Sequence, residues 1–199
     1  MRLGRSAAGA SPADWLVVGL GNPGSQYAAT RHNIGFEVAN LLATRWELPR
    51  AKRRFGALVT DGRVSGPVYP APRVAVLLPQ TYMNESGRAV GPARGAFKVP
   101  LERVLVLHDE IDLPFGDVRA RLGGGLAGHN GLKSLKRELG SAEFARVRIG
   151  VSRPPTTDPD RVAAYVLGRF SEPKRDVDEL IARAADVAER IVLGETDLG

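Results

Sequence analysis

An α/β sandwich is the fold class this sequence predicts, with a twisted, mixed and mostly parallel central sheet and helices on both faces. Three observations predict it. Continuous apolar runs at Trp15 to Leu20, Val74 to Leu78 and Val104 to His108 read as strands buried on both sides. Segments with helical apolar spacing alternate with these runs, as helical crossovers between parallel strands require. Asp117 to Leu122 and Arg146 to Val151 alternate apolar and polar residues, the mark of half-exposed strands, which makes the sheet mixed.

Taken in order, the first strand ends in Gly19-Leu20-Gly21, and a helix is expected from about Asn33 to Trp46, where Phe36, Val38, Ala39, Leu41 and Leu42 supply an apolar face. Phe55 to Thr60 reads as a shorter strand, and Asp61 to Arg73, rich in Gly and Pro, as a surface connection. The run at Val74 is stopped by Pro79. Ser86 to Phe97 is weakly helical, with a late start or kink expected at Pro92. Arg119, Arg121, Arg146 and Arg148 fall on the polar faces of the two alternating strands, and Asn130 to Leu139 between them reads as a helix. From Val177 to Val192 apolar residues recur at helical spacing, with Ser171 and Pro173 suited to the cap and first turn.

The chain has 199 residues, 43% of them hydrophobic, which fits one domain spanning residues 14–199. Residues 1–13 carry Arg2 and Arg5 among small residues with no apolar stretch behind them, so they read as a disordered extension rather than a signal peptide. Absence of Cys excludes disulfides, thiolate metal sites and cysteine nucleophiles, and suits a reducing, cytoplasmic setting. No apolar run approaches a membrane span, so no membrane partner is expected. The net charge of +6, carried mainly by Arg, favours polyanionic partners.

The buried strands end in polar clusters: Gly21-Asn22-Pro23-Gly24, Gln80-Thr81-Tyr82-Met83-Asn84, and His108-Asp109-Glu110-Ile111-Asp112. Ligands of open α/β sheets sit beyond the carboxyl ends of strands, so parallel neighbours would bring Asn22, Asn84 and Asp109 to one cleft. Gly19 to Gly24 matches G-x-G-x-x-G in form, yet Pro23 interrupts it and Thr44 stands where a ribose-binding acid belongs. A dinucleotide site is rejected on that ground. His32 stands where the first helix begins, and helix-terminal amides there would keep its ring neutral and able to accept a proton. A carboxylate such as Asp109 would hold the tautomer. The alternative is a histidine bonded only to helix-start backbone. With no Cys and no G-x-S-x-G elbow, water is the simpler nucleophile. The crowding of His108, Asp109, Glu110 and Asp112 raises a metal site, disfavoured because adjacent strand residues point apart. Gly123 to Gly131 is a phosphate cradle or, preferred, a flap whose backbone can approach a substrate.

Together these segments resemble the bacterial peptidyl-tRNA hydrolase family. The likeness rests on Val17 to Gly24, Tyr27, Thr30 to Phe36, Tyr82 to Gly87, His108 to Leu113, Gly123 to Lys133, Arg146 to Gly150 and Val166 to Gly168, in the family's order from about residue 15 to 193. The resemblance implies a metal-free, cofactor-free, monomeric esterase that frees tRNA from stalled or dropped-off peptides. It implies His32 as general base, Asp109 as its carboxylate, and Asn22, Asn84 and Asn130 as active-site amides. Tyr27, Tyr82 and Met83 would line the substrate cleft. Arg121 and Arg148, flanked by Arg119 and Lys133, would hold the tRNA 5′-phosphate. Leu126 departs from the small or polar residue more usual in the glycine flap, and the chain ends at Gly199, where many members carry an Asn-containing tail. The rival readings are a silent RNA-binding relative, a nucleotide-dependent oxidoreductase and a metallohydrolase.

Overall fold

The computed structural model describes residues 10–198. Seven strands form one sheet in the order β2-β3-β4-β1-β5-β7-β6. They are β1 (Trp15–Gly19), β2 (Lys52–Arg54), β3 (Ala57–Arg63), β4 (Arg73–Pro79), β5 (Val104–Glu110), β6 (Val118–Leu122) and β7 (Ala145–Gly150). The four central strands β4, β1, β5 and β7 are parallel, while β3 and β6 run against their neighbours. The mixed sheet is therefore as expected.

Alternation along each central strand feeds two cores. Val17, Val76, Leu105 and Leu107 face a layer made by α1 (Ile34–Arg45) and α5 (Lys174–Val192). Leu16, Val18, Ala75 and Val106 face α2 (Gly87–Phe97) and α3 (Asn130–Leu139). Burial on both sides explains why these strands read as unbroken apolar runs.

Several expectations need correction. The helix α2 starts at Gly87 and runs through Pro92. Pro92 is exposed, so the Arg88 carbonyl that loses its donor lies on the solvent side. The N-cap of α5 is Pro173, without a side-chain bond, and Ser171 instead accepts from Arg31. Strand β3 extends into the expected surface connection as far as Arg63. Arg146 is not on a solvent-facing polar side: it is 1% exposed. Two elements lay outside the sequence reading, the charged edge strand β2 and α4 (Pro159–Val166). Of the expected N-terminal extension, residues 1–9 lie outside the described residues, while Ala13 is buried and its N–H donates to the Phe97 carbonyl.

Close approach of α1 to the sheet is what positions the site. A Cβ on Gly35 would lie 2.3 Å from the Leu107 carbonyl oxygen, and one on Gly19 would lie 2.4 Å from that of Gly35. Both glycines let the start of α1 rest on the carboxyl ends of β1 and β5. Gly21 likewise faces the Phe36 ring. The G-x-G pattern thus serves helix-on-strand packing, which accounts for its likeness to a dinucleotide fingerprint.

Candidate active site

Strand order reverses around β1, whose neighbours β4 and β5 are reached by crossovers in opposite directions. A cleft of about 570 Å³ opens there. Asn22, His32, Tyr82, Met83, Asn84, Asp109, Asn130 and Lys133 all border it. Of the expected site residues, Tyr27 lies outside its lining, in a 3-10 turn whose carbonyl accepts from Thr30. Arg119, Arg121 and Arg148 stand apart from it on β6 and β7.

His32 sits in a 3-10 turn, Arg31–Asn33, immediately before α1. Its Nδ1–H donates to Asp109, 2.9 Å from each carboxylate oxygen. That bond fixes the tautomer and leaves Nε2 to the cleft. Burial opposes a charge on this ring, but the adjacent Asp109 carboxylate and its hydrogen bond outweigh burial and raise the His32 pKa. The expectation of a helix start keeping the ring neutral is corrected on this point, because Asp109 is the stronger influence.

His129 was missed as a site residue. It is the N-cap of α3, where its Nδ1 accepts from the amides of Gly131 and Leu132 at 3.1 and 3.4 Å. Its one ring proton therefore sits on Nε2, which donates to Asp109 Oδ1 at 2.8 Å. Asp109 is 3% exposed. Burial alone would raise its pKa, yet His32 and His129, by charge and by hydrogen bond, hold it well below the usual carboxylate range. His108, the remaining histidine, donates from Nδ1 to the Asp109 carbonyl, and burial followed by its neighbour His129 lowers its pKa to about 3. It stays neutral. A position directly before a helix start, capable of capping it, was the available signal for His129.

The ring nitrogens of His32 and His129 and an Asp109 oxygen lie within 4.8 Å of one another, a spacing a cation can also use. A metal-bound histidine normally hands the proton on its other nitrogen to an acceptor. His129 faces two amide donors there instead, so the arrangement suits protons better than a metal.

Asn33, also missed, locks the neighbouring amide. Its Oδ1 accepts from the Asn22 N–H and its Nδ2 donates to the Asn22 carbonyl, both at 2.9 Å. So held, Asn22 accepts the Met83 N–H on Oδ1 at 2.7 Å. Only the donor half of the Asn22 carboxamide is left for a ligand. Behind Met83, Ser86 donates to its carbonyl and Ser134 of α3 accepts from the Gly87 N–H, tying the Asn84 turn to the Asn130 helix. On the far wall α4 offers Val162, Ala163 and Val166, and exposed Tyr82 stands at the rim. Arg31, stacked 4.0 Å from the Tyr165 ring centre and bonded to the Arg169 carbonyl, fastens α4 to the His32 turn.

Such a pocket can take up a proton at His32 Nε2 and present neutral amides to a polar substrate. Comparisons with known proteins give the chain its family. The chain matches the sequence profile described as peptidyl-tRNA hydrolase over residues 16–197. It is 49% identical to the peptidyl-tRNA hydrolase of Mycobacterium avium (strain 104) over 180 residues, covering 89% of this chain and 90% of that one. Identity to the enzyme of Mycolicibacterium smegmatis is 47% over the same length and coverage. Among solved structures, the peptidyl-tRNA hydrolase of Acinetobacter baumannii superposes with a TM-score of 0.80 at 36% identity, covering 94% of this chain and 93% of that one. With the fold, the cleft and the sequence all in accord, the chain belongs to the peptidyl-tRNA hydrolase family and hydrolyses the ester of peptidyl-tRNA.

Proposed function

We propose that hydrolysis proceeds by direct water attack, with His32 as general base and Asp109 as the group that orients it. The observation that carries this reading is the buried His32–Asp109 bond of 2.9 Å, which leaves Nε2 facing the cleft. Nε2 takes a proton from water as its oxygen attacks the peptidyl carbonyl carbon. The imidazolium so formed is stabilised by Asp109, and the proton passes to the departing ribose oxygen. Asn84, exposed at the cleft rim, is suited to donate to the developing oxyanion, a contact worth about 3 kcal/mol.

The Asn22 amide is assigned as donor to the peptide carbonyl next to the scissile ester, and Asn130 as the partner of the peptide N–H. A free aminoacyl ester puts a charged amine at that place, which neutral amides match poorly. Arg121 and Arg148, together with Arg119 on β6 and Lys133 at the cleft wall, are assigned to the tRNA 5′-phosphate. Support for this comes from the exposure of Arg121 and from the pairing that sets Arg119 opposite Arg148. The working enzyme is read as a cytoplasmic monomer, with residues 14–199 as its catalytic domain. No helix among the described residues is long and apolar enough to cross a membrane.

The test is cleavage of purified peptidyl-tRNA by wild type and His32→Ala, each with and without EDTA at fixed magnesium-free ionic strength. Loss of the base should lower kcat by about 10²- to 10⁴-fold, with EDTA leaving wild-type cleavage of a minimal peptidyl-nucleotide unchanged. Full activity of His32→Ala would contradict the assignment, and abolition of minimal-substrate cleavage by EDTA would indicate a metal centre.

A further inference from the structure

Pairing of β6 with β7 sets Arg121 opposite Arg146 and Arg119 opposite Arg148. Residues opposite one another share a face, as do alternate residues on one strand, so four guanidinium side chains leave the same side of the sheet edge. Their surroundings differ. Arg119 pairs with Asp117 in solvent, and Arg148 pairs with buried Glu110. Arg121 is exposed, and its guanidinium lies against the flap so closely that a Cβ on Gly124 would be 2.3 Å from its Cζ.

Arg146 is the unusual member. It is buried, and among the described residues it forms no ion pair. Its guanidinium donates to the carbonyls of Gly125 at 2.6 Å, Gly124 at 2.9 Å and Ala142 at 3.2 Å. Burial, and after it the charges of Arg121 and Arg148, lowers its pKa to about 10, while Glu143 and Glu110 act the other way, so the cation persists at neutral pH beside two like neighbours. Holding three carbonyls needs donors but not a charge. A buried cation beside two others, offset only in part by Glu143, Glu110 and the Phe144 ring, suits a place where an anion is to be bound.

We infer that Arg146 is a positioning residue for phosphate recognition, fixing the Gly124 backbone on which Arg121 rests and adding positive potential beneath the Arg121–Arg148 pair. The ligand class is a terminal phosphate monoester, which carries more charge than the diesters along the rest of a nucleic acid. This deepens, and rests on, the assignment of Arg121 and Arg148 to the 5′-phosphate. Arg146 itself does not touch the ligand.

The experiment compares kcat/KM on peptidyl-tRNA carrying its 5′-phosphate with the same substrate after phosphatase treatment. Wild type, Arg146→Met, Arg146→Lys, Arg121→Ala and Arg148→Ala are compared, each with its Tm. The ratio of the two values isolates phosphate recognition from folding, since a purely structural loss lowers both alike. Arg146→Met should cut the wild-type ratio by roughly tenfold, a loss on the scale of one charge-assisted contact. Arg146→Lys, which keeps the charge without the fork, should fall between. Should Arg146→Met not fold, a reduced ratio in Arg146→Lys carries the test. An unchanged ratio in folded Arg146 variants, while Arg121→Ala lowers it, overturns this inference alone. An unchanged ratio in Arg121→Ala and Arg148→Ala overturns the clamp and this inference with it.

Discussion

At the residue scale the site is a problem of where protons sit. Asp109 accepts from His32 Nδ1 and His129 Nε2, and each donor is forced. His129 cannot hold its proton on Nδ1, where two amides of α3 already point. Both rings thus share the carboxylate that raises the His32 pKa. The placing of His32, Asp109, Asn22 and Asn84 at one cleft was legible because they close strands or open helices, whereas Asn130 came only with the family resemblance. His129 was legible only as a cap for α3, since its reach to a strand end 20 residues earlier is a tertiary contact that local sequence does not show. Asn33 acts at the same scale. Asn33→Ala would leave a buried N–H and a buried carbonyl of Asn22 unpaired, at about 1–3 kcal/mol each. A clearly lowered Tm together with reduced kcat/KM on peptidyl-tRNA is the expected outcome. Full stability of the variant would show that Asn22 is held by other means.

At the element scale, the elements read from sequence are those whose burial writes a period into the chain. Central strands buried on both faces, α1, α3 and α5 all do so. Helix α4 does not, because Val166 is its only buried residue. The readable sign was its start, where the Asp158 side chain accepts from the Asp160 N–H and Pro159 takes the first turn. β2 is an edge strand of three cations and carries no apolar signal at all. Arg146 was misplaced for a related reason: alternation fixes which face a side chain leaves from, but not that a glycine loop folds over that face. The contact of α1 with the sheet supplies the prediction belonging to this scale. Gly35→Ala would set a methyl group against the backbone of Leu107 and Leu20 and push the helix start outward. Overpacking of this kind costs about 1–3 kcal/mol. Urea unfolding should show that loss, and kcat should fall further than stability alone explains as His32 moves from Asp109. Wild-type stability and rate would mean the close approach is dispensable.

At the scale of the whole molecule, one end of a single sheet holds the chemistry, while both sheet edges carry cations, Arg119 and Arg121 on β6 and Lys52, Arg53 and Arg54 on β2. Asp109 and Glu110 are buried at the end of β5, where Glu110 pairs with Arg148 of β7. Composition foretold a polyanionic partner but not where it would lie, because side-chain position depends on strand pairing between residues far apart in sequence. What unites the molecule is the claim that a neutral His32 takes a proton from water under the direction of Asp109. Protonation of His32 switches the base off, so kcat/KM must fall as pH drops through its pKa. Because Asp109 raises that pKa, the fall should be centred above 6.5. Removing the carboxylate charge removes the cause. The decisive measurement is the pH dependence of kcat/KM on peptidyl-tRNA for wild type and Asp109→Asn. Wild type should show an acid limb above pH 6.5 that moves to lower pH, with a reduced plateau, in the variant. A limb that stays in place, or an unreduced plateau, would contradict that claim.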